Sequence, residues 1–311
     1  AAVGVWPAVL LFLLFAWIEL VWPSNAVPAR LACAILLYSG LTLACMALFG
    51  AEEWLRRGEV FSLLFGLFGR FAPLSARRGT DGRPLLVLRP YGAGLAPSPV
   101  PSISMTALVI AVLATVSFDG FSETPDWARL SGAAMGVLYR AGVVGTLGYV
   151  PAQTLVKTAG LLAAPVLFAA AYLAVCRLVS RLGGMSTGEV ARRFVLSLVP
   201  IAVGYHLAHY FSYLIIQGQM IVPLASDPFG FGWNLFGAAG RPVDVDAVDM
   251  RLVWLVAVGG VVLGHAAAVL LAHREALSAA MRPVSQMPLV VLMIVYTVTS
   301  LWILSQPIVA H

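Results

Sequence analysis

Residues 252–273 read LVWLVAVGGVVLGHAAAVLLAH, a run without Asp, Glu, Lys or Arg. As an α-helix rising 1.5 Å per residue it would extend about 33 Å, the thickness of a bilayer's hydrocarbon core. Comparable runs cover residues 3–22, 29–50, 102–118, 158–180, 194–222 and 288–309. None has the period-two alternation of a barrel strand. A lone segment in lipid must satisfy its own backbone hydrogen bonds, so the runs read as helices. The expected fold is all-α, a polytopic transmembrane bundle of about seven spans. Residues 60–74 are too short to cross easily, and residues 130–150 carry Arg140 among glycines and alanines. Both are expected to be interfacial or re-entrant helices.

Composition leads to the same class. Hydrophobic residues make up 60% of the chain and charged residues 11%, too few to cover a water-soluble surface, where about a quarter are charged. The apolar runs extend from end to end, so residues 1–311 read as a single transmembrane domain whose first partner is the lipid bilayer. The net charge of +5 does not point to nucleic acid, because the arginines sit in connections beside the spans, where they act as orientation signals. Cys33, Cys45 and Cys176 fall inside spans without ligand spacing, which indicates neither a disulfide framework nor a zinc site. The first span lacks a basic leader and an obvious cleavage site, so it is not a signal peptide. The chain opens Ala1-Ala2-Val3 with no initiator methionine and is expected to be the C-terminal portion of a longer protein.

Lys and Arg in alternate connections set the expected orientation. One side collects Arg56, Arg57, Arg70, Arg77, Arg78, Arg83, Arg89, Arg177, Arg181, Arg192, Arg193, Arg274 and Arg282. The other holds Arg30, Arg129, Arg140, Lys157, Arg241 and Arg251, together with most loop acids. Cytoplasmic loops retain positive charge, so residue 1 is expected inside and His311 outside.

Ionisable groups at membrane depth are costly and are the first candidates for function. In the fifth span His206, His209, Tyr213 and Gln217 recur at helical spacing and fall along one face. Such a stripe either lines a hydrated path or cross-links neighbouring helices. His265 lies inside the sixth span, where an antiparallel neighbour could bring it towards His209 or His206. That pairing would suit a transition metal or the axial positions of a haem, with Gly259, Gly260 and Gly264 leaving room. Asp119 and Asp227 each stand among aromatics and turn formers, and Glu19 lies between Trp17 and Trp22. These three carboxylates either cap turns in an aromatic belt or form an acidic outer vestibule.

The segments Trp17-Ile18-Glu19-Leu20-Val21, Phe118-Asp119-Gly120-Phe121-Ser122, His209-Tyr210-Phe211-Ser212, Asp227-Pro228-Phe229-Gly230 and Ser285-Gln286-Met287-Pro288 resemble a family of bacterial polytopic membrane proteins. Some of its members carry the label fenitrothion hydrolase. The resemblance covers nearly the whole chain and implies a bacterial plasma-membrane location, with further helices preceding the position of Ala1. It gives no physiological role. A hydrolase would need more than is visible: there is no Gly-x-Ser-x-Gly elbow and no His-Glu-x-x-His. Ser212 and His209 share a helix face, but a triad also requires an orienting carboxylate. Three readings follow. The chain handles a small solute, proton or metal ion; or it is a haem- or metal-binding subunit among other membrane subunits of a redox complex; or it is a membrane hydrolase.

The orientation is directly testable. An impermeant thiol reagent on intact cells should label Ala239→Cys and leave Ala76→Cys unlabelled; the reverse pattern would invert the topology.

Overall fold

The computed structural model describes residues 3–79, 82–95 and 100–306, and within them the chain is almost wholly helical. α1 (Trp6–Leu20) and α2 (Pro28–Phe49) each have a proline in the first turn, Pro7 and Pro28, where the missing N–H is no loss. α3 (Ala51–Arg57), α4 (Val60–Phe71) and a hairpin of β1 (Leu74–Arg78) with β2 (Pro84–Leu88) lead to α5 (Ile103–Ser122). α6 (Pro125–Arg140) and α7 (Val143–Leu147) precede the long α8 (Tyr149–Gly183). α9 (Thr187–Phe194), α10 (Val199–Gln217) and α11 (Ile221–Ser226) run end to end through short 3₁₀ turns, and α12 (Met250–Ser278) and α13 (Met287–Ser305) complete the bundle.

Among the described residues, six helical stretches are long and apolar enough to cross a membrane: Pro28–Phe49, Ile103–Ser122, Tyr149–Gly183, Thr187–Ser226, Met250–Ser278 and Pro283–Ser305. α1, with 15 residues, and α4, with 12, are shorter apolar helices; α1 extends only about 22 Å, less than the hydrocarbon core unless the bilayer thins beside it. Residues 307–309 of the last expected span, and His311, lie outside the described residues.

The structure departs from the sequence reading in two places. α8 begins at Tyr149 instead of residue 158, because Gln153, Thr154 and Lys157 are too polar for a span yet lie readily in helix. The hairpin was not foreseen. Its antiparallel register pairs Leu74 with Leu88 and Arg78 with Pro84, and its five-residue strands are too short to show a period.

α5 is the central post, with most of its residues buried, while α1, α8, α10 and α13 pack around it. The closest helix pair is α10 with α12. A Cβ on Gly204 would stand 2.3 Å from the Gly260 carbonyl oxygen, and one on Gly264 would stand 2.6 Å from that of Pro200. Small residues four apart, Gly204 and Ala208 on one helix and Gly260 and Gly264 on the other, let the backbones touch, as membrane helix pairs do. The glycines that suggested room for a porphyrin are therefore filled by a neighbouring backbone. Gly259 alone of the three faces open space.

The outer faces of the bundle are apolar. α2 has no buried residue, and Leu36 and Leu37 are 71% and 74% exposed, a surface suited to lipid and not to water. At the arginine-rich end, Arg193 of α9 joins buried Glu275 of α12 at 3.1 Å and Glu189 at 3.2 Å, tying α9 to α12. Glu59, in the turn before α4, caps that helix through the amides of Phe61 and Ser62 and accepts the Tyr38 hydroxyl. Burial opposes its ionisation, but these hydrogen bonds outweigh burial and hold its carboxyl below the ordinary value.

The α10–α12 contact should respond sharply to bulk. Gly204→Leu is expected to lower stability by at least about 1–3 kcal/mol, the usual cost of overpacking, while Gly259→Ala should be neutral or slightly stabilising. Thermal unfolding in one detergent would measure both, and equal effects would refute the packing assignment.

Candidate functional site

One end of the bundle holds a cavity of about 1120 Å³ between α1, α5, α10, α12 and α13. Its walls are largely apolar, and Glu19, Asp119, Glu123, His209, Tyr213 and Gln217 bring polar groups to it. Each charged member has a structural reason for its position. Glu19 lies in the last turn of α1, which Trp17 ties to α8 by donating its indole N–H to Thr158 at 2.9 Å. Asp119 and Glu123 are one turn apart at the end of α5, so their side chains share a face. His209 reaches them from the middle of α10.

The shortest contacts converge on one atom. Asp119 Oδ2 lies 2.9 Å from His209 Nε2 and accepts the Tyr210 hydroxyl at 2.9 Å. The Asp119 and His209 side chains are only 13% and 14% exposed, so the pair is poorly screened by water. Tyr210 has a single hydroxyl proton and gives it to Asp119. Its lone pairs then face Glu19 Oε1 at 3.5 Å, where a further proton or cation is needed to bind the two oxygens together. One ligand atom each from Asp119, Glu123 and His209 lie within 4.8 Å of one another, close enough to hold a single metal ion.

No family model, curated protein or solved structure matches the chain.

The helices themselves establish the class. The chain is a multi-pass helical membrane protein. Within it, the residues singled out from the sequence separate. Glu19, Asp119, His209, Tyr213 and Gln217 meet at the cavity. His206 shares their helix face but lies a turn deeper, where its Nδ1 bonds to the Ala202 carbonyl at 2.7 Å and its ring packs on Phe68 of α4. Asp227 belongs to its own loop: its carboxylate accepts the amides of Phe231 at 3.0 Å and Gly232 at 2.9 Å. Asp227 is therefore not among the residues that line the cavity.

The His209–His265 pairing does not form. Gly204 faces Gly260, and Pro200 faces Gly264, in antiparallel register. His265 is therefore level with position 199 and His209 with position 255, so the imidazoles are separated by about ten residues, on the order of 15 Å along the axis. Two metal–nitrogen bonds of about 2 Å each cannot span that distance. His265 instead has its Nδ1 on the Val261 carbonyl at 2.8 Å and its ring against Tyr296. For a hydrolase, Asp119 supplies the orienting carboxylate that the sequence did not reveal, but no hydrogen bond joins Ser212 to His209 among the described residues.

Glu123 and Tyr210 are the members that sequence reasoning missed. The i, i+4 spacing of Asp119 and Glu123 was a readable signal, because it stacks two carboxylates on one helix edge. Loss of the shared acceptor should be the costlier change. Asp119→Asn is expected to destabilise by about 1.5–3 kcal/mol, the range for hydrogen bonds to charged groups, and Tyr210→Phe by about 0.6 kcal/mol. Unfolding of both variants in the same detergent checks the order.

Proposed function

We propose that this membrane protein handles a small cation, a first-row divalent metal ion or a proton, at Glu19, Asp119, Glu123 and His209. The observation that carries the reading is the convergence of three carboxylates from two helices and one imidazole from a third on a cavity among membrane-length helices. Like charges this close, with little water, require a compensating positive charge. Protonated His209, a shared proton or a metal ion each provides it. Carboxylate oxygens with one imidazole nitrogen suit manganese, iron or zinc, and they do not form the thiolate set of a copper(I) site. Cation binding would displace protons from His209 and the carboxylates, so metal and proton compete for the same atoms.

In this reading the arginine-rich end faces the cytoplasm and the cavity opens outward, in the plasma membrane of a bacterium. Tyr213 and Gln217 line the route from the cavity mouth to the acids. A bis-histidine haem has no support from the helix register, and hydrolysis lacks a nucleophile bonded to His209.

Calorimetric titration of the purified protein in nanodiscs with Mn²⁺ and Zn²⁺ should give one site. Asp119→Asn and His209→Ala should weaken it at least tenfold, about 1.4 kcal/mol, and Asp227→Asn should leave it unchanged. If neither metal binds, and proton uptake between about pH 5 and 8 is the same in wild type and Asp119→Asn, the reading fails.

A further inference from the structure

Below the acidic site, three polar atoms in the bundle core have no hydrogen-bonding partner of acceptable geometry among the described residues: Tyr205 Oη, His265 Nε2 and Ser300 Oγ. Tyr205 and Ser300 are 0% exposed and His265 is 5% exposed. Orphaned polar groups are expensive in such surroundings and are normally bridged by water when several lie together. Contacts through α5 and α13 link these three.

The Tyr205 hydroxyl lies against the α5 backbone at Gly120, where a Cβ would come within 2.6 Å of it and 3.1 Å of Ile303. Ser300 is one turn from Ile303 on α13, and Tyr296 one turn further. Tyr296 is hydrogen-bonded to Ser117, one turn from Gly120 on α5, and its ring is 5.3 Å from that of His265. At the upper end the Tyr205 ring stacks on His209 at 6.3 Å, and Gly120 is next to Asp119. A continuous line of polar groups therefore descends from the acidic site towards the middle of α12.

The chemistry of its lower end is fixed by one bond. A carbonyl oxygen can only accept, so the 2.8 Å contact to Val261 places the proton of His265 on Nδ1 and leaves Nε2 as a bare lone pair. Tyr205 has the opposite imbalance, a buried O–H with no acceptor. Ser117 gives its proton to the Leu113 carbonyl at 2.7 Å, so Tyr296 donates to Ser117 and offers its own lone pair, while the Ser300 hydroxyl can accept one proton and donate another.

We propose that Tyr205, Ser300 and Tyr296 line a short file of bound water that leads from the floor of the outer cavity to His265 Nε2 and carries protons along it. Each transfer takes one proton from a hydronium ion in the cavity and places one on His265 Nε2, leaving the intervening hydroxyls and waters as they began. The titratable groups that face the path are Glu19 of α1, Asp119 and Glu123 of α5, and His209 and Tyr210 of α10 at the outer end, with Tyr296 of α13 in contact with His265 at the inner end. The path needs no metal at the outer site.

Hydroxyl-radical footprinting of the protein in nanodiscs tests the water directly, because buried tyrosine is oxidised only where water is bound. Tyr172 is the control: it is equally buried, but its hydroxyl bonds to the Ala191 carbonyl at 2.8 Å. Tyr205 should be oxidised at least tenfold faster than Tyr172, and Ser300→Val should slow it at least fivefold while leaving Zn²⁺ affinity unchanged. Solid-state NMR of ¹⁵N-histidine protein tests the proton path, with the His265 signal identified by its loss in His265→Gln. Exchange of its Nε2 proton with bulk water at low pH should slow at least tenfold in Tyr296→Phe. A Tyr205 as inert as Tyr172, or exchange indifferent to Tyr296→Phe, would overturn the proposal. Absence of Zn²⁺ binding with both of these results intact would instead reject only the metal reading of the outer site.

Discussion

The backbone contact between α10 and α12 governs the geometry of the rest. Gly204 against Gly260, and Pro200 against Gly264, bring the helices closer than any side chain would permit, and fix their relative height. Lipid provides no hydrophobic force between helices, so close packing is what holds such a pair together. Once that height is set, His209 lies beside the end of α5 and His265 lies far below it against Tyr296. The separation of the two imidazoles, and with it the choice between one shared metal and two distinct environments, follows from four small residues.

Electrostatics acts on this scaffold at a second level. Asp119 is sheltered at the end of α5, and its Oδ2 is the common partner of His209 and Tyr210. Glu19 arrives from α1, whose own position is pinned at both ends, by Trp17 on Thr158 and by the Val5 amide on Ser104. Pinning matters because a carboxylate cluster would push its helices apart unless they were otherwise held. Packing elsewhere thus sustains an arrangement that charge alone would oppose.

Much of this was legible from residues. The apolar runs gave the helices, and Glu19, Asp119 and His209 were identifiable because ionisable groups in such runs are rare. Helical periodicity placed His206, His209, Tyr213 and Gln217 on one face, which is correct as to angle. It could not give depth: His206 lies a turn away from the cavity, with its ring against Phe68 of α4. Asp227 looked like Asp119, since both stand among aromatics and turn-forming glycine or proline. The difference is local: two loop amides already claim the Asp227 carboxylate, whereas Asp119 ends a helix with its side chain turned inward.

The sequence by itself determined that the chain forms membrane-length helices, because a hydrocarbon core admits no unpaired backbone and the runs are long enough to cross it. It also determined which residues would be expensive there. Which of these residues meet was decided only by the tertiary structure. Glu19, Asp119 and His209 are separated by long stretches of chain, and their contact depends on the registers of α1, α5 and α10 against one another. Those registers are set by interlocking shapes, such as glycine on backbone and tryptophan on threonine. Periodicity within one helix carries no information about how far its neighbour has slid.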